Sequence, residues 1–128
     1  MLIDENLPLA LAKALTAIFD GVHEVQHLRQ RYGPSVTDTE WIKDLHKEGG
    51  WVVISGDRRI TRNRAEQQLF KSSNLVGFFL SKGLNKAPIT KKMERLMALW
   101  PTIEKQVGLV SGGAMFELPM ASTKLKQV

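Results

Sequence analysis

The sequence predicts an α/β fold: a three-layer α/β/α domain built on a mainly parallel sheet of about five strands. Short apolar, β-branched segments alternate along the chain with segments whose apolar residues recur at helical spacing. Turn-forming Gly, Pro and Asn residues separate the two kinds of segment. At 128 residues the chain has the length of one domain. We predict that this domain covers residues 1–118 and that residues 119–128 form a flexible basic tail.

Each element is predicted from its local pattern. The helices are expected to begin near Asn6 and Pro8, at a capping box formed by Thr37 and Glu40, at Thr61 or Asn63, and at Pro88, the last being interrupted by Pro101. Segments 29–35 and 81–86 are expected to be loops. The strands are expected at residues 1–4, 22–28, 51–55, 75–80 and 114–119.

Composition narrows the classes of function. The net charge of +5 favours a polyanionic partner such as RNA, although a basic surface also serves solubility alone. The absence of cysteine excludes disulfides and thiolate metal sites. No apolar run approaches the ~20 residues that span a bilayer, and the first residues do not read as a secretory signal, so we expect no membrane association and a cytoplasmic location.

Three aspartates are expected at the carboxyl edge of the sheet, where parallel α/β sheets bind ligands. Asp4 ends the first strand, Asp57 follows the third, and Asp38 opens the helix after the second. Helical phase places Asp38 on the buried face and Glu40 toward solvent. Converging carboxylates repel one another unless a cation neutralises them, and oxygen ligands select Mg²⁺ or Mn²⁺. The pattern therefore indicates a metal site that activates water against a phosphodiester.

Each aspartate also has a simpler explanation. Asp57 alone is typical of a turn or a helix cap, and Asp38 alone stabilises the positive end of a helix dipole. Asp4 is harder to explain without a partner, because a carboxylate at the end of a central strand is costly to bury. The metal site is supported by the expected coincidence of all three at one edge.

Several further residues are expected to assist this site. A cluster of arginines directly follows Asp57, and its guanidinium groups suit RNA phosphates. The residues expected to bind RNA are Arg58, Arg59, Arg62 and Arg64. Glu5, Asn6 and Glu40 are expected to contact the metal-binding side chains without binding the metal themselves.

These segments resemble a known family. LIDENLP opening a helix, then HEVQHL, SVTDTEW and WVVISGD, look like the compact PIN-like proteins, including toxins related to VapC. The resemblance covers roughly residues 1–80. It implies an endoribonuclease dependent on Mg²⁺, acting as the toxin of a toxin–antitoxin pair, with Asp4, Asp38 and Asp57 as the acidic residues. RNA and an antitoxin protein are the implied partners, and a homodimer stays open.

One departure keeps two alternatives open. Many relatives carry a second Asp two residues after the third-strand acidic residue, where this chain has Arg59. The chain is therefore also compatible with a PIN-like module that binds RNA or protein without cleaving. Asp4, Glu5 and Asp57 also match the acidic positions of a phosphoacceptor receiver domain, but AMFELP lacks the lysine that such a domain needs after its fifth strand.

Overall fold

The computed structural model describes residues 1–56 and 59–128, without the side chain of Arg59. A six-stranded sheet in the order β2-β1-β3-β4-β5-β6 forms its centre. The first five strands are parallel and β6 is antiparallel to β5. The strands are β1 (Leu2–Ile3), β2 (Gln26–His27), β3 (Val52–Ser55), β4 (Val76–Leu80), β5 (Met115–Leu118) and β6 (Lys126–Gln127). The predicted α/β class is confirmed, with one strand more than the expected five.

Along the chain, helices connect each parallel strand to the next. The caps predicted from sequence are present: Thr37 and Glu40 form a capping box, and the Asn63 side chain accepts the Glu66 amide. The helices are α1 (Leu9–Ile18), α2 (Leu28–Tyr32), α3 (Asp38–Glu48), α4 (Arg59–Arg62), α5 (Arg64–Ser72), α6 (Lys82–Lys86) and α7 (Ile89–Leu109). Among the described residues, no helix combines the length and apolarity needed to cross a bilayer.

Two apolar cores cover the two faces of the sheet. Successive strand residues point to opposite faces, so Ile3 joins the core under α1 and α7, whereas Leu2 joins the core under α3 and α5. Phe78 and Phe79 divide between the two cores in the same way. This arrangement is the predicted three-layer α/β/α architecture.

The chain reverses its direction of winding between β1 and β3. From β1 the chain moves outward to β2, and it then returns past β1 to pair β3 on the other side. The ends of β1 and β3 therefore diverge into helices on opposite faces, which opens a crevice at their carboxyl edge. Asp4 lies directly at this point.

Three local predictions were wrong. The second strand is limited to Gln26–His27, and a short helix, α2, occupies part of the segment expected to be a loop. The expected loop at 81–86 is helix α6, because the Ser81 side chain accepts the Leu84 amide and Leu84 is buried. Helix α7 continues through Pro101, whose missing N–H removes one intrahelical bond while the apolar face on either side stays packed.

Part of segment 119–128, which was expected to be a flexible tail, contacts the sheet in the structure. Lys126–Gln127 pairs with β5, and the Val128 amide donates to the Met115 carbonyl at 2.9 Å. The buried Arg95 of α7 donates to the carbonyl oxygens of Pro119 and Ser122. A buried guanidinium group needs hydrogen-bond acceptors. By donating to these two carbonyl oxygens, Arg95 fixes the backbone at the start of segment 119–128.

Candidate functional site

Asp4 is a buried carboxylate at the carboxyl end of β1. Its side chain is 5% exposed, and its backbone amide extends the pairing to β3 by donating to the Ile54 carbonyl at 2.9 Å. The Ser55 hydroxyl donates to Oδ2 at 2.7 Å, and the Glu5 amide donates to Oδ1 at 2.7 Å. These two bonds fix the carboxylate at the winding reversal.

Burial raises the pKa of the Asp4 carboxyl group above its ordinary value of 3.8. The bonds from Ser55 and from the Glu5 amide lower that pKa, whereas the negative charges of Asp38 and Glu5 raise it again. The net direction is upward because desolvation is the largest effect. Asp4 is therefore a carboxylate whose charge is poorly compensated by its described neighbours.

A side-chain network joins Asp4 to the end of β3. The Asn6 Nδ2 donates to the Ser55 Oγ at 3.4 Å, and the Asn6 Oδ1 accepts the Gly56 amide at 3.0 Å. Because Ser55 in turn donates to Asp4, the network ties the loop after β1 to the two residues that precede Asp57. Asn6 therefore bonds to both Ser55 and Gly56 at the end of β3.

Asp38 reaches the same edge from the first turn of α3. The indole Nε1 of the fully buried Trp41 donates to the Asp38 Oδ1 at 2.9 Å, so the carboxylate is held on the packed side of the helix. Glu40 is exposed and its carboxylate accepts the Thr37 amide at 3.1 Å. The predicted difference in orientation between Asp38 and Glu40 is confirmed.

The negative charge of Asp38 is one of the smaller causes that raise the pKa of Asp4. Asp57 and Arg58 lie outside the described residues. Within the described ranges, no three His, Cys, Asp or Glu side chains form a group able to hold a metal ion. The donors that can be described are all oxygens, on Asp4, Asp38 and the neighbouring Ser55 and Asn6 side chains, and such a set suits a hard divalent cation.

Glu5 lies beside Asp4 and faces a cation. Its carboxylate is 3.7 Å from the Arg29 Nε, and both side chains are partly exposed, so this pair contributes little to stability.

Buried His27 links the loop after β1 to the first turn of α2. Its Nδ1 accepts the Arg29 amide at 3.2 Å, which leaves its Nε2 to donate to the Leu7 carbonyl at 2.9 Å.

Three of the arginines after Asp57, namely Arg59, Arg62 and Arg64, lie in α4 and α5. Arg59 is the first residue of α4, and Ile60 of that helix is buried in the same core as Trp41. Arg62 ends α4 and Arg64 opens α5, and both side chains are exposed. Their exposure leaves them accessible to a polyanion.

Two residues near the site were missed in the sequence. Ser55 reads only as the end of an apolar strand, although its hydroxyl is the direct partner of Asp4. Asn85 of α6 lies against Gly56, where a Cβ would overlap its amide oxygen. A polar residue two positions before an expected active-site aspartate is a usable signal for Ser55, whereas no sequence pattern indicates Asn85.

The cavities lie on both edges of the sheet. One of about 400 Å³ lies beside the site and is lined by Glu5, Leu7, His27 and Arg29 among others. Another, of about 520 Å³, lies at the opposite edge, where Met1 and Trp51 precede β1 and β3. The larger of these two cavities is therefore remote from Asp4 and Asp38, and volume alone does not identify the site.

Comparison with known protein families gives a match over the first part of the chain. A family model described as "PIN like domain" matches residues 1–82, which is more than half of the chain. The matched range runs from β1 through β4 and includes Asp4, Asp38 and Asp57. No curated protein and no solved structure matches the chain.

Proposed function

The chain belongs to the PIN-like domain family, and from this premise we propose that it is an Mg²⁺- or Mn²⁺-dependent endoribonuclease that hydrolyses RNA phosphodiesters. Members of the family are commonly nucleases. The observation that carries the proposal is the buried Asp4 carboxylate, whose pKa is raised and which is near the charge of Asp38. Such a pair is poorly stable without a cation and well suited to binding one.

In this proposal Asp4, Asp38 and Asp57 hold the metal ion. The bound ion would supply a water activated for attack and compensation of the charge that develops on the phosphate. Ser55 and the Glu5 amide orient Asp4, while Trp41 orients Asp38. Arg62 and Arg64, with Arg58 and Arg59, hold the phosphates of the RNA.

The biological setting we propose is that of a toxin neutralised by an antitoxin protein in the cytoplasm. The basic charge and the exposed arginines support an RNA substrate, and the family supports the nuclease activity. The receiver alternative has lost its support, since the chain belongs to a different family and Pro119 follows β5. Binding of RNA without cleavage would favour the alternative of a PIN-like binding module.

Asp57→Asn should abolish metal-dependent cleavage and leave the chain folded. The substitution removes a charge from the proposed ligand set but keeps the side-chain shape, so repulsion among the carboxylates decreases. The assay measures cleavage of a mixed structured RNA in Mn²⁺, in Mg²⁺ and in EDTA, with thermal unfolding recorded beside it.

Asp20→Asn is the matched control for this experiment. Asp20 is exposed after the end of α1, near the start of β2, and the same substitution there should leave cleavage unchanged. Full cleavage by the Asp57→Asn protein would refute the assignment of Asp57. Cleavage by the wild type in EDTA would refute the dependence on metal.

Trp41→Phe should both destabilise the fold and weaken metal binding at the proposed site. It removes the donor to Asp38 and leaves a small void in the core, at a cost of about 1–3 kcal/mol in unfolding free energy. With Asp38 unrestrained, the Mn²⁺ concentration for half-maximal cleavage should rise roughly 10-fold or more, as for other residues that orient a metal ligand. Denaturant unfolding and an Mn²⁺ titration of the cleavage rate measure the two effects.

Trp51→Phe separates the two effects. Trp51 is also buried, and its Nε1 donates to Glu48 at the opposite edge of the sheet at 3.1 Å. It should lose stability without changing the Mn²⁺ requirement. An equal change of Mn²⁺ requirement in both variants would show that the orientation of Asp38 by Trp41 is unimportant.

A further inference from the structure

The segment after β4 carries cations beside the candidate site. Residues 81–93 contain four lysines and no acidic residue. Lys82 and Lys86, one helical turn apart on α6, are both exposed, whereas Lys91 of α7 is paired with Glu94 at 3.1 Å. The two α6 lysines are therefore the exposed cations of this segment that lie nearest to the end of β4.

Helix α6 lies directly against the edge that carries the site. It follows β4, whose neighbour β3 leads into Ser55 and Gly56. The Asn85 amide fills the space that a side chain at position 56 would need. Buried Leu84 anchors the helix to the core below, so the position of α6 relative to Gly56 is defined by packing on two sides.

A cation also flanks the other side of the site. Arg29 follows β2, and its side chain lines the cavity beside Glu5, whose carboxylate is 3.7 Å from the Arg29 Nε; the arginine side chain is nevertheless 64% exposed. From β2 to β4 the sheet spans three interstrand spacings, about 14 Å. Arg29 therefore lies beyond the end of β2, and Lys82 and Lys86 lie beyond the end of β4. Asp4, at the end of β1, lies between them in the strand order.

We propose that one RNA strand crosses the carboxyl ends of β2, β1, β3 and β4, with its phosphates on Lys82 and Lys86 at the β4 side. This inference rests on the proposed function and assigns the path of its substrate. Lysine ammonium groups on flexible stems suit backbone phosphates and read no sequence. Asn85 packs against Gly56 and keeps the two lysines in position relative to the aspartates.

The test measures how RNA affinity depends on salt. Binding of a fluorescein-labelled single-stranded RNA is followed by anisotropy in EDTA, where the metal-dependent reaction is absent. Each phosphate contact contributes about 0.7 to the slope of log K against log salt for a single strand. The double variant Lys82→Ala/Lys86→Ala should therefore lose about 1.4 from the magnitude of the wild-type slope.

Lys71→Ala/Lys105→Ala is the matched control, because it removes the same charge from exposed positions near the amino edge of the sheet. Its slope should equal that of the wild type. Equal slopes in all three proteins, the same loss in both double variants, or no RNA binding by the wild type would overturn the proposal. If the slopes differ as expected but no metal cleaves the RNA, the path holds and the nuclease function fails. Cleavage with equal slopes would reject the path alone.

Discussion

Asp4→Asn is expected to lower metal-dependent RNA cleavage by on the order of 100-fold or more. The substitution removes the charge that would hold the proposed cation and keeps one oxygen, which can accept the Glu5 amide while the new amide group donates to the Ser55 hydroxyl oxygen. Initial rates in saturating Mn²⁺ measure the effect, with Asp20→Asn as the control of matched chemistry. Unchanged rates in the Asp4→Asn protein would contradict the assignment of Asp4.

The same substitution should stabilise the fold at neutral pH in the absence of divalent metal. The pKa of Asp4 is raised in the folded chain, so the folded state binds its proton more tightly than the unfolded state. That contribution to stability is fully present below the unfolded pKa of 3.8 and is lost as the pH rises through the folded pKa. Asp4→Asn should remove this decrease in the free energy of unfolding with rising pH. Denaturant unfolding at a series of pH values measures the effect. A loss of stability at pH 7 would indicate that Asp4 is mainly a structural acceptor.

Gly113→Ala should destabilise the fold by about 3 kcal/mol or more. Gly113 has a φ of +91°, which an alanine adopts only with strain, and an added Cβ would overlap the backbone carbonyl of Lys71. The overlap is with main chain at the end of α5, and the Gly113 amide is held by the Leu75 carbonyl at 2.6 Å, so neither side can move freely. Denaturant midpoints measure the loss.

Gly108→Ala is the control for that substitution. Gly108 lies inside α7, and a Cβ there would meet nothing within 4 Å. Gly108 is in the last turn of α7, where the preference for alanine over glycine is smaller than the ~1 kcal/mol of a helix interior, so this variant should be at least as stable as the wild type. Equal losses in the two variants would show that the close approach at Gly113 is not a determinant of the fold.

Much of the fold could be predicted because its signals are local. Strand β3 is an unbroken β-branched segment, and the capping box of Thr37 and Glu40 marks the start of α3. Helical phase was enough to distinguish Asp38 from Glu40, since burial on a helix follows the 3.6-residue period. The same alternation of elements led to the correct edge for Asp4.

The remaining features depend on contacts between distant segments. Ser55 and Asp4 are 51 residues apart, and their bond exists because β1 and β3 are neighbours. Helix α6 is too short for a periodic signal, and its Asn85 becomes relevant only through Gly56. The pairing of Lys126–Gln127 with β5 similarly depends on the edge of β5 that faces away from β4. No local sequence pattern predicts that this edge is open to pairing.

Anomalous diffraction from crystals soaked in Mn²⁺ would show whether the carboxyl edge of the sheet binds a metal ion, because it locates the ion without reference to activity. We expect an Mn²⁺ peak at the carboxyl edge of the sheet, bound by Asp4 and Asp38 together with Asp57, and no such peak in the Asp4→Asn protein. A wild-type protein with no Mn²⁺ at this edge, or with its only ion at the cavity beside Met1 and Trp51, would contradict the proposed metal site.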